Sequence, residues 1–191
     1  QVERMLADPT RGPFYMVNLI RYREEARYPD GRETNLSGRE ANALYAPIDF
    51  LTAIGATVVY ASESLDDDTW DEVAIVEYPC PLAFFAMSAH PDFQARSIHK
   101  SAGVEVSTVM VTYLTPLEGQ GVNEARFPGS ADDPTFDRVR VHRYRETADY
   151  GEGTAEPLRS GEEAAERYSD AVKDAESAQG IHAKARLRVE G

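Results

Sequence analysis

Residues 14–22, Phe-Tyr-Met-Val-Asn-Leu-Ile-Arg-Tyr, alternate as a strand does. Tyr15, Val17, Leu19 and Arg21 share one face, and Phe14, Met16, Asn18, Ile20 and Tyr22 the other. Both faces are mainly apolar, which predicts a strand covered on both sides. After a polar loop with a Tyr28-Pro29-Asp30-Gly31 turn signal, the period changes. Ser37-Gly-Arg-Glu40 is a capping box, and Ala41, Leu44, Tyr45, Ile48, Leu51 and Ile54 follow at helical spacing. Pro47 predicts a kink or restart, because it lacks an N–H and crowds the preceding turn. Gly55 supplies the stop. Strands are predicted over 56–63 and 72–78, flanking Asp66-Asp67-Asp68 and Trp70. Pro81 opens a short apolar helix over 82–87, Pro91 opens a second that Gly103 stops, and 104–114 returns as a strand. Residues 1–13 read as a lead-in. The order is βαββαβ, the ferredoxin-like split arrangement of the α+β class.

The chain then partly repeats itself. Residues 116–135, rich in Gly, Pro and Asp, read as a linker. Arg21-Tyr22-Arg23-Glu24 recurs as Arg143-Tyr144-Arg145-Glu146, within a predicted strand over 136–146. Ser160-Gly-Glu-Glu163 is a second capping box. Its helix carries Ala164, Tyr168, Ala171, Val172 and Ala175 on one face, and Tyr168 and Gly180 match Tyr45 and Gly55. A strand over 181–189 would close the second βαβ unit. Arg138, Arg140 and His142 replace Met16, Asn18 and Ile20, so one face of that strand has turned polar. The expected organisation is a ferredoxin-like domain over 1–115, a linker over 116–135, and a partial βαβ repeat over 136–191. The repeat would pack on the first domain as a pseudo-dimer or on a partner.

Charge narrows the partners. The formal net charge is -13, and the acidic excess runs through the whole chain. Nucleic acid and anionic membrane both call for basic patches, so neither is expected as a partner. With Cys80 the only cysteine, an intrachain disulfide is impossible, which fits a reducing cytoplasm. No apolar run approaches the roughly 20 residues of a membrane span. Gln1-Val-Glu-Arg begins without a Met and without an apolar signal region, so a trimmed chain is expected.

Several motifs together carry a family resemblance. They are Asn18-Leu-Ile-Arg-Tyr-Arg, Tyr28-Pro-Asp-Gly-Arg32, Gly38-Arg-Glu-Ala41, Tyr45, Trp70-Asp-Glu-Val73, Glu77-Tyr-Pro79, and His90-Pro-Asp-Phe-Gln94 followed by His99. Over residues 14–114 the chain resembles the uncharacterised domain-of-unknown-function family numbered thirteen-thirty, of the dimeric α/β-barrel superfamily. Lys100-Ser-Ala-Gly-Val departs from the expected ending of that pattern. The resemblance implies ferredoxin-like domains whose sheets face each other across a homodimer, with a cavity between each sheet and its own helices. That superfamily includes cofactor-free monooxygenases, polyketide cyclases, lactone isomerases and haem enzymes, so the fold implies no single chemistry.

The candidate residues follow from the strand faces and helix stripes. His99 is the candidate general acid or base, because imidazole titrates nearest neutrality. Its alternative is a half-exposed helix histidine. Asn18, a polar residue among apolar neighbours, is either a ligand-orienting amide or bonded to nearby backbone. Arg21 and Arg39, with Arg23, could clamp a carboxylate or simply pair with acidic neighbours. Tyr45, Trp70, Tyr78 and Met87 would line an apolar cavity or form core. His90 shapes a turn. No metal site is expected, because spaced His, Cys or carboxylate ligands are missing, and no cofactor is assigned. A haem would need one buried histidine, and His99 stays open for that role. Two functions follow. One is a cofactor-independent enzyme acting on an apolar or aromatic small molecule. The other is a non-catalytic binding or assembly domain that pairs through its sheet. An enclosed pocket touching both His99 and Asn18 would favour the first.

Overall fold

Strand β1 (Phe14–Tyr22) sits in the middle of the sheet because both of its faces are apolar. The computed structural model describes residues 2–64, 69–115, 139, 141–150, 159–178 and 186–189. Around β1 the described order is α1 (Val2–Ala7), β1, α2 (Gly38–Tyr45), α3 (Ile48–Ala53), β2 (Thr57–Glu63), β3 (Glu72–Tyr78), α4 (Pro81–Ser88), α5 (Pro91–Gly103), β4 (Val104–Thr115), α6 (Gly161–Ala178) and β5 (Arg186–Val189). The sheet runs β2-β3-β1-β4-β5, and every neighbouring pair is antiparallel. The first four strands with their helices form the expected ferredoxin-like unit. By compactness the chain divides into residues 1–129 with 184–191, and residues 130–183.

Register sorts the side chains. Phe14, Met16, Asn18 and Ile20 lie opposite Tyr78, Val76, Ala74 and Glu72 on β3. On β4, Met16, Asn18 and Ile20 lie opposite Val111, Val109 and Ser107. This face receives the helices. Phe14, Met16, Val76, Tyr78 and Val111 pack with Leu51, Met87 and Met5. Each such side chain, fully buried, stabilises the fold by about 1.5–3 kcal/mol. The other face gathers Tyr15, Val17, Leu19, Tyr60 and Ile75, with Trp70, Val73, Met110, Leu114 and Leu187 against them.

The lead-in and part of the expected repeat differ from the sequence reading. The lead-in contains α1, and Met5 within it is a core residue. The helix expected over 41–54, with a kink or restart at Pro47, does restart there: it is two helices, with Ala46 and Pro47 outside regular geometry between them. Pro47 restarts the chain rather than kinking it. Of the strand expected over 181–189, residues 186–189 are described and form β5. It pairs with Thr112–Thr115 of β4, where an edge strand offers unpaired backbone groups. Residues 139 and 141–146, inside the strand expected over 136–146, are not in strand conformation. The linker over 116–135, together with Arg138, Arg140, Gly180 and His182, lies outside the described residues.

Both capping boxes form. Glu40 N–H donates to Ser37 Oγ at 3.2 Å, and Ser37 N–H to Glu40 Oε2 at 2.8 Å. Glu163 N–H donates to Ser160 Oγ at 3.1 Å, and Ser160 N–H to Glu163 Oε2 at 2.9 Å. The residue after each cap bonds back to its own preceding segment: Gly38 N–H to Arg23 O at 3.1 Å, and Gly161 N–H to Arg145 O at 3.0 Å.

Helices α2 and α5 pack on each other. Gly38 and Gly103 meet backbone to backbone, and Arg23 N–H donates to Gly103 O at 2.8 Å. A Cβ at Gly38 would overlap the carbonyl oxygens of Arg23 and Gly103, and one at Gly103 would overlap Gly38 O. All of these obstacles are backbone atoms, which cannot rotate away. Gly38→Ala is therefore expected to destabilise the chain by about 1–3 kcal/mol, read as a lower denaturation midpoint. An unchanged midpoint would show that the two helices are not in contact there.

Candidate functional site

Helix α2 lies over the sheet with Asn42 and Tyr45, one turn apart, on its inner face. At one end, Tyr22 O–H donates to Glu72 Oε2 at 2.7 Å and accepts from Asn42 Nδ2 at 3.2 Å. Burial, reinforced by Glu72, raises the Tyr22 hydroxyl well above the usual phenol range. Because the amide nitrogen of Asn42 faces that hydroxyl, Asn42 Oδ1 is left buried without a hydrogen-bond partner. A buried acceptor in this state costs about 1–3 kcal/mol unless something donates to it.

One turn further, Tyr45 is half-buried, edge-on to Phe93 with ring centroids 5.9 Å apart. Burial raises its hydroxyl above the ordinary value. Tyr78 is buried and stacked on Phe14 at 5.2 Å. Its hydroxyl is pushed up by burial first and by Tyr45 second. Lys100 reaches in from α5, with Nζ 5.4 Å from the Tyr45 ring centroid. Burial lowers its pKa. Among the described residues Lys100 has no hydrogen bond and no ion pair.

Asn18 lies on the same sheet face, between Tyr22 and Met16 along β1. Its Nδ2 donates to Met16 O at 3.2 Å and, more weakly, to Ala74 O at 3.4 Å. The amide donors are thus directed at strand backbone, and Oδ1 is what remains for another group. We take the space bounded by Asn18 on the helix-facing side of the sheet and by Asn42, Tyr45, Tyr78 and Lys100 as the candidate cleft. Its walls are aromatic and its polar groups are only partly satisfied. Val109, opposite Asn18 on β4, is 41% exposed, so the cleft opens toward that strand.

The other sequence candidates go elsewhere. His99 Nδ1 is 2.7 Å from Tyr28 Oη, and the rings meet edge to face at 5.5 Å. Tyr28 belongs to a small cluster with Ala26, Ala41 and Ala102. His99 and Asn18 have no hydrogen-bond partner in common. Trp70 packs on the sheet face away from the helices. Met87 is buried core. Arg21 Nε bonds Glu105 Oε2 at 3.1 Å, while Arg39 Nη1 bonds Glu63 Oε1 at 3.0 Å and its guanidinium lies over the Tyr22 ring. These arginines hold separate carboxylates and do not converge on one. His90 caps α5 by accepting from Asp92 N–H at 3.2 Å. His142 stacks on Tyr144, and Tyr168, matched in sequence to Tyr45, is 68% exposed.

Lys100 and Asn42 are the residues the sequence reading missed. Lys100 lies seven residues from Phe93, on the same helical stripe, whereas His99 falls off it. That spacing is the signal that could have found it. Among the described residues no group of three or more His, Cys, Asp or Glu side chains is arranged to hold a metal, and no helix is long and apolar enough to cross a membrane.

Two solved structures of the RPA0582 protein of Rhodopseudomonas palustris are similar to this chain. One, of the methylated protein, is 35% identical over 62% of this chain and 91% of the other, with a TM-score of 0.53. The second, described as a protein of unknown function, is 33% identical over 60% and 90%, with a TM-score of 0.51. A Mesorhizobium loti protein described as a dabb family protein with a ferredoxin-like fold is 17% identical over 56% of this chain and 99% of its own, with a TM-score of 0.38. No family model matches the chain, so the likeness to family thirteen-thirty remains one of motifs. No curated protein matches it.

The partly buried ammonium of Lys100 has a consequence for stability. Its folded pKa is depressed, so between that value and the ordinary lysine value near about 10.4 the unfolded chain binds the extra proton. Below that window both states are protonated and the burial penalty is present in full; it fades as pH rises through the window. Lys100→Met should therefore stabilise the chain at pH 7 by about 0.5–2 kcal/mol, with the gain shrinking toward pH 10. Urea midpoints at both pH values measure this. A loss of stability at pH 7 would mean that Lys100 has a compensating partner.

Proposed function

Because the chain belongs to the family of the Rhodopseudomonas palustris RPA0582 protein, whose own function is unknown, we propose a function from the cleft itself. The chain binds a small apolar or aromatic molecule between the sheet and helices α2 and α5, and acts on it as a cofactor-independent enzyme. One observation carries this reading. Asn42 Oδ1 is buried without a hydrogen-bond partner, and the partly buried Lys100 lies against the Tyr45 ring without a hydrogen bond or ion pair among the described residues. Proteins seldom leave buried polar groups unpaired, and a ligand that donates to Asn42 Oδ1 accounts for that one. Tyr45, Tyr78 and Phe93 supply the apolar wall such sites usually have.

The roles follow from chemistry. Asn42 Oδ1 and Asn18 Oδ1 accept from a ligand hydroxyl or N–H. Tyr45 and Tyr78, kept protonated by burial, donate hydrogen bonds. Lys100 places a positive charge where negative charge develops, the contribution that preorganised sites make most strongly. His99, on α5, is held by Tyr28.

The second function, assembly through the sheet, is favoured by Val106, 39% exposed on the face away from the helices. One experiment separates the two. Aromatic acids, amides and alcohols are screened by thermal shift, with light scattering on the free chain. A ligand at 100 times its Kd stabilises by about 2.7 kcal/mol, which raises the melting temperature by several degrees. The cleft reading predicts such a ligand, with the shift lost in Tyr45→Ala. A full screen without a shift, from a chain that scatters as a dimer, would replace it with the assembly reading.

A further inference from the structure

The cleft carries information on the charge of what it holds. We propose that its ligand is an apolar carboxylate, with the carboxylate on Lys100 Nζ and the apolar body against Tyr45 and Phe93. This rests on the reading of the cleft as a ligand site.

Elsewhere in this unit, four arginines have found anions, whereas Arg23 Nε is buried without a partner. Arg21 pairs with Glu105, Arg32 with Asp30, Arg39 with Glu63 and Arg96 with Asp49. The chain has 33 acidic residues to choose from. Lys100 pairs with none of those described. Its only described partner is the face of Tyr45, an attraction of about 0.5–2 kcal/mol that offsets only part of the cost of withdrawing an ammonium from water. The charge is nonetheless favoured by its place in the last turn of α5, where the helix carbonyls attract a cation. The site is therefore a partly buried cation beside an aromatic ring, with no anion on it among the described residues.

A lysine is a compact point charge, so it holds one carboxylate oxygen without demanding the paired geometry an arginine would impose. The two neighbouring tyrosines remain neutral phenols and compete for no charge. The wall opposite is formed by the Tyr45 and Phe93 rings, set edge to face at 5.9 Å. A flat or branched hydrocarbon body fits such a pair better than a polyhydroxylated one, because it leaves no polar group facing the rings.

A matched pair of probes tests this on the full chain by titration calorimetry: 2-naphthoate and 2-naphthamide, equal in shape and different in charge. Naphthoate should bind wild type at least tenfold more tightly. Lys100→Met and Lys100→Gln should both bind the two probes equally, and Lys100→Arg should keep part of the preference. Melting curves of the free variants confirm that each is folded. Equal binding of the two probes to wild type, or a preference that survives in Lys100→Gln, overturns the inference while leaving the cleft as a ligand site. Binding of neither probe, nor of any compound in the broader screen, overturns the cleft reading and this inference with it.

Discussion

The contact between Gly38 and Gly103 is the constraint on which the candidate site depends. It lets α2 and α5 touch through backbone alone, with Arg23 bonded to both glycines. Asn42 is one turn beyond Gly38, and Lys100 is one turn before Gly103. The glycine contact thus fixes the two helices at the point from which the cleft residues project. Any side chain there would part the helices and move Asn42 away from Tyr22. The same contact explains why a capping box, with its second residue a glycine, precedes α2: the helix must begin where there is no room for a Cβ.

The sheet supplies the other half of the arrangement. β1 carries an apolar stripe on each face, so it can be central, and its one internal polar residue on the helix-facing side is Asn18. The bonds from Asn18 to Met16 O and Ala74 O satisfy that amide within the strand layer and hold its orientation. Above it, the Tyr22–Glu72–Asn42 chain of hydrogen bonds closes one end of the cleft. Phe14, Tyr78 and Phe84 close the other with mutual ring contacts. The open side is toward β4, where Val109 stays exposed.

Much of this fold was legible in the sequence because local signals decide it. Alternation sets β1 and β3, the two capping boxes set the starts of α2 and α6, and Pro81 and Pro91 open α4 and α5 within a residue. What was not legible depends on tertiary placement. α1 is six residues long, too short to show a helical period, and Met5 is core only because the sheet lies beneath it. Trp70 follows a loop, and nothing local says which sheet face that loop serves. β5 is four residues that could pair with any free edge. The site was read least well, because a lysine in a polar helix looks like surface. Tyr45, on a different helix, covers part of Lys100, whereas His99, the more reactive residue type, meets Tyr28.

The measurement that bears most directly on this account is a residue-resolved map of ligand binding. In a heteronuclear NMR titration of the labelled chain with an aromatic carboxylate, the side-chain amides of Asn18 and Asn42 and the backbone amides around Tyr45 and Lys100 should shift together and saturably. The Trp70 indole, on the opposite face of the sheet, should stay in place. Movement of the Trp70 indole with Asn18 and Asn42 unchanged would put the ligand on the other face and contradict the assignment of the cleft.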